Sequence, residues 1–134
     1  MMSVKSESLR PGFAVKCAQV VAGAMGYGLL EILWRGRTHV SMLIAGGMCL
    51  PLLIYISKSG IDLIRQCFAG AALITLVELS FGFVVNGWMG LGVWDYSREP
   101  LNLWGQICPK YFVLWFLLCL ALMPICRLFR RVFV

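Results

Sequence analysis

Four apolar stretches, each about as long as a bilayer is thick, constrain this chain more than any other feature. They run from Phe13 to Leu33, Val40 to Ile56, Leu63 to Trp88 and Tyr111 to Cys126. A helix needs about 20 apolar residues to cross the roughly 30 Å hydrocarbon core. Inside that core every backbone N–H and C=O must be paired within the segment, so apolar runs of this length are read as helices. The expected fold is therefore all-α: a polytopic membrane protein with about four transmembrane helices. Composition agrees, with 60% hydrophobic and 13% charged residues, about half the charge of a soluble domain.

The organisation follows from these runs. Residues 1–12 form a polar N-terminal tail, 13–126 a four-helix membrane domain, and 127–134 a basic amphipathic tail suited to an anionic leaflet. A cleavable signal peptide is not expected, because no small-residue cleavage site follows the first run cleanly. The net charge of +6 does not indicate nucleic acid, since the cations sit at the ends of apolar runs. With four spans the termini share one side. The tails and the turn at 57–62 hold eight cations (Lys5, Arg10, Lys16, Lys58, Arg65, Arg127, Arg130, Arg131), and the other side holds four (Arg35, Arg37, Arg98, Lys110). The positive-inside bias then puts both termini in the cytoplasm and the connector at 89–108 outside.

Polar residues inside apolar sequence mark the candidate site. Thr75, Glu78, Gly82 and Asn86 step by three, four and four and fall on one helix stripe. A carboxylate at this depth turns inward, pairs or stays protonated. Glu78 is either a proton, cation or substrate site, or a hydrogen-bonding acid that locks the bundle. Glu31 ends the first span and can pair with Arg35 or Arg37 across the next turn. His39 opens the second span, as a helix cap or a proton relay. Ala18, Ala22 and Gly26 recur every four residues and permit close helix approach. Pro51 should kink the second span.

The connector is too apolar for a free aqueous loop, and is expected to be re-entrant or interfacial. Gly90 and Gly92 allow it to turn sharply, and Trp94 and Tyr96 supply apolar anchors with polar tips. Asp95 either caps a turn around Ser97 or pairs with Arg35 or Arg37. With Asn102 and Gln106, these groups lead to one expectation: an outer polar cavity between spans one and three, lidded by an ordered Trp94-Asp95-Tyr96-Ser97 turn. The six cysteines form no CxxC and read as membrane-buried thiols; no metal, disulfide frame, nucleotide motif or cofactor is indicated.

The strings GYGLLEILWRGRTH (26–39), ALITLVELSFGFVVNGWMGLGVWDYS (72–97) and PLNLWGQIC (100–108) resemble the bacterial ABC-transporter type IV, or CmpB-like, family. The pattern Glu78, Gly82, Asn86, Gly90 and Trp94–Ser97 carries the resemblance, which covers about residues 13–126. It implies a permease-like protein of a bacterial inner membrane, and it marks Glu31, Glu78, Asn86, Trp94, Asp95, Asn102 and Gln106 as signature positions. The partners expected are the lipid bilayer and a second copy of the chain, another membrane protein or an ATPase. A membrane scaffold or accessory subunit is the alternative; an intramembrane enzyme acting on a lipid headgroup through Glu78, His39 or Asp95 is a more distant one.

Overall fold

A computed structural model describes residues 12–133, with side chains through residue 128. The polar tail assigned to 1–12 therefore lies, apart from Gly12, outside the described residues. Of the basic tail, 127–134, only the first two side chains fall within them.

Four long helices make up the described chain: α1 (Phe13–Arg35), α2 (Val40–Ser57), α3 (Leu63–Phe81) and α4 (Pro109–Phe133). The last turns of the third span, Gly82–Trp88, are π-helical and continue α3. Each of the four spans is long and apolar enough to cross a membrane. The chain is an all-helical, multi-pass membrane protein.

The helix ends follow local chemistry. Gly36 ends α1 in the left-handed conformation, with its N–H donating to Ile32 O at 2.9 Å. His39 begins α2 as a cap, its Nδ1 accepting from the Ser41 N–H at 3.1 Å. Of the two roles open to His39 in the sequence, this geometry is that of the cap. Asp62 caps α3 through the Arg65 N–H. Pro109 occupies the first position of α4, where a missing N–H costs nothing. α2 continues through Pro51 as helix to Ser57.

α1 packs on α2, and α3 packs on α4, with α2 also meeting α3. The α1–α2 approach is close because glycines face one another. A Cβ on Gly46 would overlap Tyr27 Cβ and Gly23 O, and a Cβ on Gly23 would overlap Gly46 O. The ladder read from the sequence is not the one used. Ala18, Ala22 and Gly26 are exposed, and space beside Gly26 is open. The contact face lies one position away, through Val20, Gly23, Ala24 and Tyr27 against Gly46 and Gly47.

Two apolar cores result. Cys49, Leu53, Cys67, Ile74, Cys119 and Met123 fill the middle of the bundle and the half nearer the termini. Met42, Ala45, Val85, Val93, Trp94, Tyr96 and Cys108 fill the other end. Four members of the second core, Val93, Trp94, Tyr96 and Cys108, come from the connector, which folds back between the helix ends. Five of the six cysteines are buried free thiols, and Cys17 is exposed.

Candidate functional site

The connector is an ordered plug built on two side chains, Asn86 at the end of the third span and Gln106 within the connector. Asn86, on the π-helical turn, accepts the Val93 N–H on its Oδ1 at 2.6 Å and donates from Nδ2 to Gln106 Oε1 at 2.9 Å. Gln106 closes the circuit by donating to Trp104 O. Gly82 makes room for this arrangement, since a Cβ there would overlap the Gln106 side chain. The wide turn is where the regular α ladder gives way: the Met89 N–H bonds Val84 O and the Leu91 N–H bonds Val85 O. Such bulges are frequent at functional sites.

Within the plug, the Tyr96 N–H bonds Gly105 O, and Leu103 pairs with Ile107 in an isolated antiparallel bridge. Asn102 ties the bend by donating to Ser97 O and Glu99 O and accepting the Gly105 N–H. The Trp94 indole donates to Gln106 O. Leu101 and Trp104 hold positive φ, a conformation that costs about 1 kcal/mol or more per non-glycine residue. The surrounding bonds hold them there.

Asp95 is exposed and accepts the Ser97 N–H at 2.9 Å. This is the turn-capping geometry rather than an ion pair with Arg35 or Arg37. That hydrogen bond, chiefly from the Ser97 backbone, holds the Asp95 carboxyl below the usual aspartate range.

Arg35 serves the connector differently. It makes an ion pair with Glu31 at 2.7 Å and donates from Nη2 to Val93 O at 3.0 Å. The end of α1 thus holds the start of the plug through a backbone carbonyl. Arg37 is exposed, and none of the ion pairs among the described residues involves it.

Beneath the plug lies Glu78, 5% exposed. Its Oε1 accepts the Tyr96 hydroxyl at 2.6 Å and its Oε2 accepts the Trp115 indole N–H at 3.2 Å. No ion pair to it occurs among the described residues. Two neutral donors, one from the connector and one from α4, therefore solvate this carboxylate. Burial, reinforced by the Glu78 carboxylate, pushes the Tyr96 phenol far above the ordinary tyrosine range, so Tyr96 is a donor at any physiological pH. Its ring stacks on Tyr111 with centroids 4.4 Å apart.

A cavity of about 440 Å³ opens beside this cluster, lined by Tyr27, Glu31, Trp34 and Arg35 of α1, by Tyr96, and by Tyr111 and Trp115 of α4. It lies between α1 and α4, not between the first and third spans as the sequence suggested. The candidate residues do not all meet in it. Glu31 lines it, and Glu78 sits behind Tyr96 and Trp115. Asn86, Asn102 and Gln106 spend their hydrogen bonds inside the plug.

Sequence reasoning missed a second polar latch at the opposite end. Gln66, fully buried, accepts from Arg127 Nη2 at 2.6 Å and donates to Ser59 O at 3.1 Å. The available signal was its register: Gln66, Gly70 and Ile74 step by four along one buried face of α3.

Residues 19–133 match the model of a family described as "Putative ABC-transporter type IV". No curated protein and no solved structure matches.

Proposed function

The chain belongs to the ABC-transporter type IV family, and on that footing we propose that it is a permease-like component of a membrane transport system, working in an assembly rather than alone. The observation that carries this reading is the division of its interior. Polar groups occupy the two ends, buried Glu78 with Tyr96 at one and buried Gln66 with half-buried Arg127 at the other. Between them lies the apolar layer of Cys49, Leu53, Ile74 and Cys119. A polar solute gains no continuous path through one such bundle, because each unpaired polar group in that layer would cost several kcal/mol. Passage would run along the surface of the bundle or between chains, with a partner ATPase supplying the energy. In this reading both termini are cytoplasmic and the connector faces outward, as the eight-to-four division of cations suggests.

The inward-spent hydrogen bonds of Asn86, Asn102 and Gln106 favour one further reading, an accessory subunit whose polar residues stabilise the bundle. Purification from native membranes in mild detergent separates the two. A stoichiometric co-purifying ATPase is the result expected of a transport component. A lone protein with no partner, and no ATP-dependent activity in the membranes it came from, would overturn that proposal.

A further inference from the structure

The gap between α1 and α4 is longer than the cavity under the plug. A second cavity of about 270 Å³ continues it toward the middle of the bundle, past Gly26 and Ala22 on one wall and Leu122 on the other. The two share Tyr27, Leu30, Trp115 and Leu118 and form one groove. Along α1 the groove runs from Arg35 to Ala22, thirteen helical steps, or about 20 Å at 1.5 Å each. One leaflet of a roughly 30 Å hydrocarbon core is about 15 Å deep. The groove therefore has the length of one leaflet and its headgroup edge, not of a whole membrane.

Its ends differ. At the connector end the Trp34 indole donates to the Tyr111 hydroxyl at 3.4 Å and bridges the two walls. A membrane-spanning helix, about 10 Å across, could not lie along the groove and leave past that bridge. A single flexible chain fits beneath it. The same end carries the Arg35 guanidinium. Glu31 and Val93 O engage its Nε and one Nη2 donor, which fixes the fork. A guanidinium has five donors, so the rest remain for a ligand, and its planar fork matches phosphate.

We propose that this groove holds one acyl chain of a bilayer phospholipid from the connector-side leaflet, with its phosphate against Arg35. The apolar walls, Leu30, Leu114 and Leu118 among them, take the chain, and the Tyr27–Trp115 pair, 5.9 Å between centroids, supports it at mid-depth. This site does not depend on the transport reading.

The test uses the full chain in vesicles of phosphatidylcholine and phosphatidylglycerol, with a trace of phosphatidylcholine carrying a photoactivatable group at the end of one acyl chain. Labelled peptides are mapped by mass spectrometry. Label should concentrate on α1 near Ala22–Leu30 and α4 near Leu118–Leu122, above the level on the exposed Leu76 and Phe83 of the third span. Leu118→Trp, and independently Leu30→Trp, should fill the groove and lower its labelling about tenfold, while Leu76→Trp leaves it unchanged. Arg35→Gln should also lower it. Circular dichroism melts identify any variant that fails to fold, and the remaining filled variant then decides. Even labelling of groove and third span, or unchanged labelling in the filled variant, would overturn the site. Undiminished labelling in Arg35→Gln would overturn the phosphate contact. Disulfide-linked dimers of Leu118→Cys in a Cys17→Ser background would give the groove to a second copy of the chain instead.

Discussion

Removing one oxygen atom from Tyr96 probes the contact that joins the connector to the membrane-buried carboxylate. Tyr96→Phe keeps the ring stacked on Tyr111 at 4.4 Å and deletes only the hydroxyl that donates to Glu78 at 2.6 Å. Side-chain hydrogen bonds between membrane helices average about 0.6 kcal/mol and reach about 1.7. Bonds to charged groups in proteins run about 1.5–3 kcal/mol. Both partners here are buried, 8% and 5% exposed, and the bond is short, which puts it at the top of the membrane range. The expected cost is about 1.5 kcal/mol, roughly a tenfold change in the folded-to-unfolded ratio. Some of that cost reflects Glu78 left with Trp115 as its one donor, so a double-mutant cycle with Glu78→Leu is needed to isolate the pair. Reversible unfolding in mixed micelles, followed by circular dichroism, measures all four corners. The cycle should yield a coupling of about 1 kcal/mol. Additive single and double mutants, within the usual ~0.3–0.5 kcal/mol of independent sites, would show that the hydroxyl and the carboxylate do not support each other.

Three other perturbations test separate parts of the structure. Asn86→Ala frees the Val93 N–H and Gln106 together, so buried Cys108 should become reactive to maleimide in a Cys17→Ser background; continued protection would contradict the role given to Asn86. Gly46→Val forces α1 and α2 apart at Tyr27 and Gly23, and should cost about 2 kcal/mol or more in the same unfolding assay, whereas Gly26→Val, beside open space, should cost less than half of that. The Asp95 carboxyl is held below its unfolded value of 3.8 by the Ser97 N–H, so the turn's extra stability is complete above that value and disappears as the pH falls through the lower folded one. Nuclear magnetic resonance of the Ser97 amide should follow this loss on acidification, and Asp95→Asn should flatten the response.

Much of the architecture was legible because membranes leave few alternatives. The four spans, the burial of Glu78 and the folding-back of the WDYS segment follow from apolar length, a carboxylate that must avoid lipid, and amphipathic aromatics beside flexible glycines. What was not legible depended on contacts between distant residues. Spacing alone puts Asn86 on the polar stripe of a regular α-helix, but nothing in an apolar period announces the π-helical turn or the capture of Val93 seven residues on. The Ala18–Ala22–Gly26 repeat had the right spacing for close packing and the wrong face, since a helix with small residues on two stripes does not say which one meets α2. Arg127 and Gln66 lie 61 positions apart, and their pairing needed the register of α3 against α4. The polar residues conspicuous in the sequence point to a cavity between the first and third spans. Its real second wall is α4, whose Tyr111 and Trp115 no spacing in the sequence ties to α1.

Hydrogen exchange across residues 93–107, read by mass spectrometry in lipid nanodiscs, tests the central claim that the connector is a folded plug locked to the bundle rather than a loop lying on the membrane. The amides of Val93, Tyr96, Leu103 and Gly105 donate to Asn86, Gly105 O, Ile107 O and Asn102 respectively. They should exchange as slowly as the ends of the flanking helices, and Tyr96→Phe should speed them without altering the middle of α2. Exchange of these amides at the rate of an unstructured chain in the unmodified protein would contradict the plug and the clamp on Glu78 together.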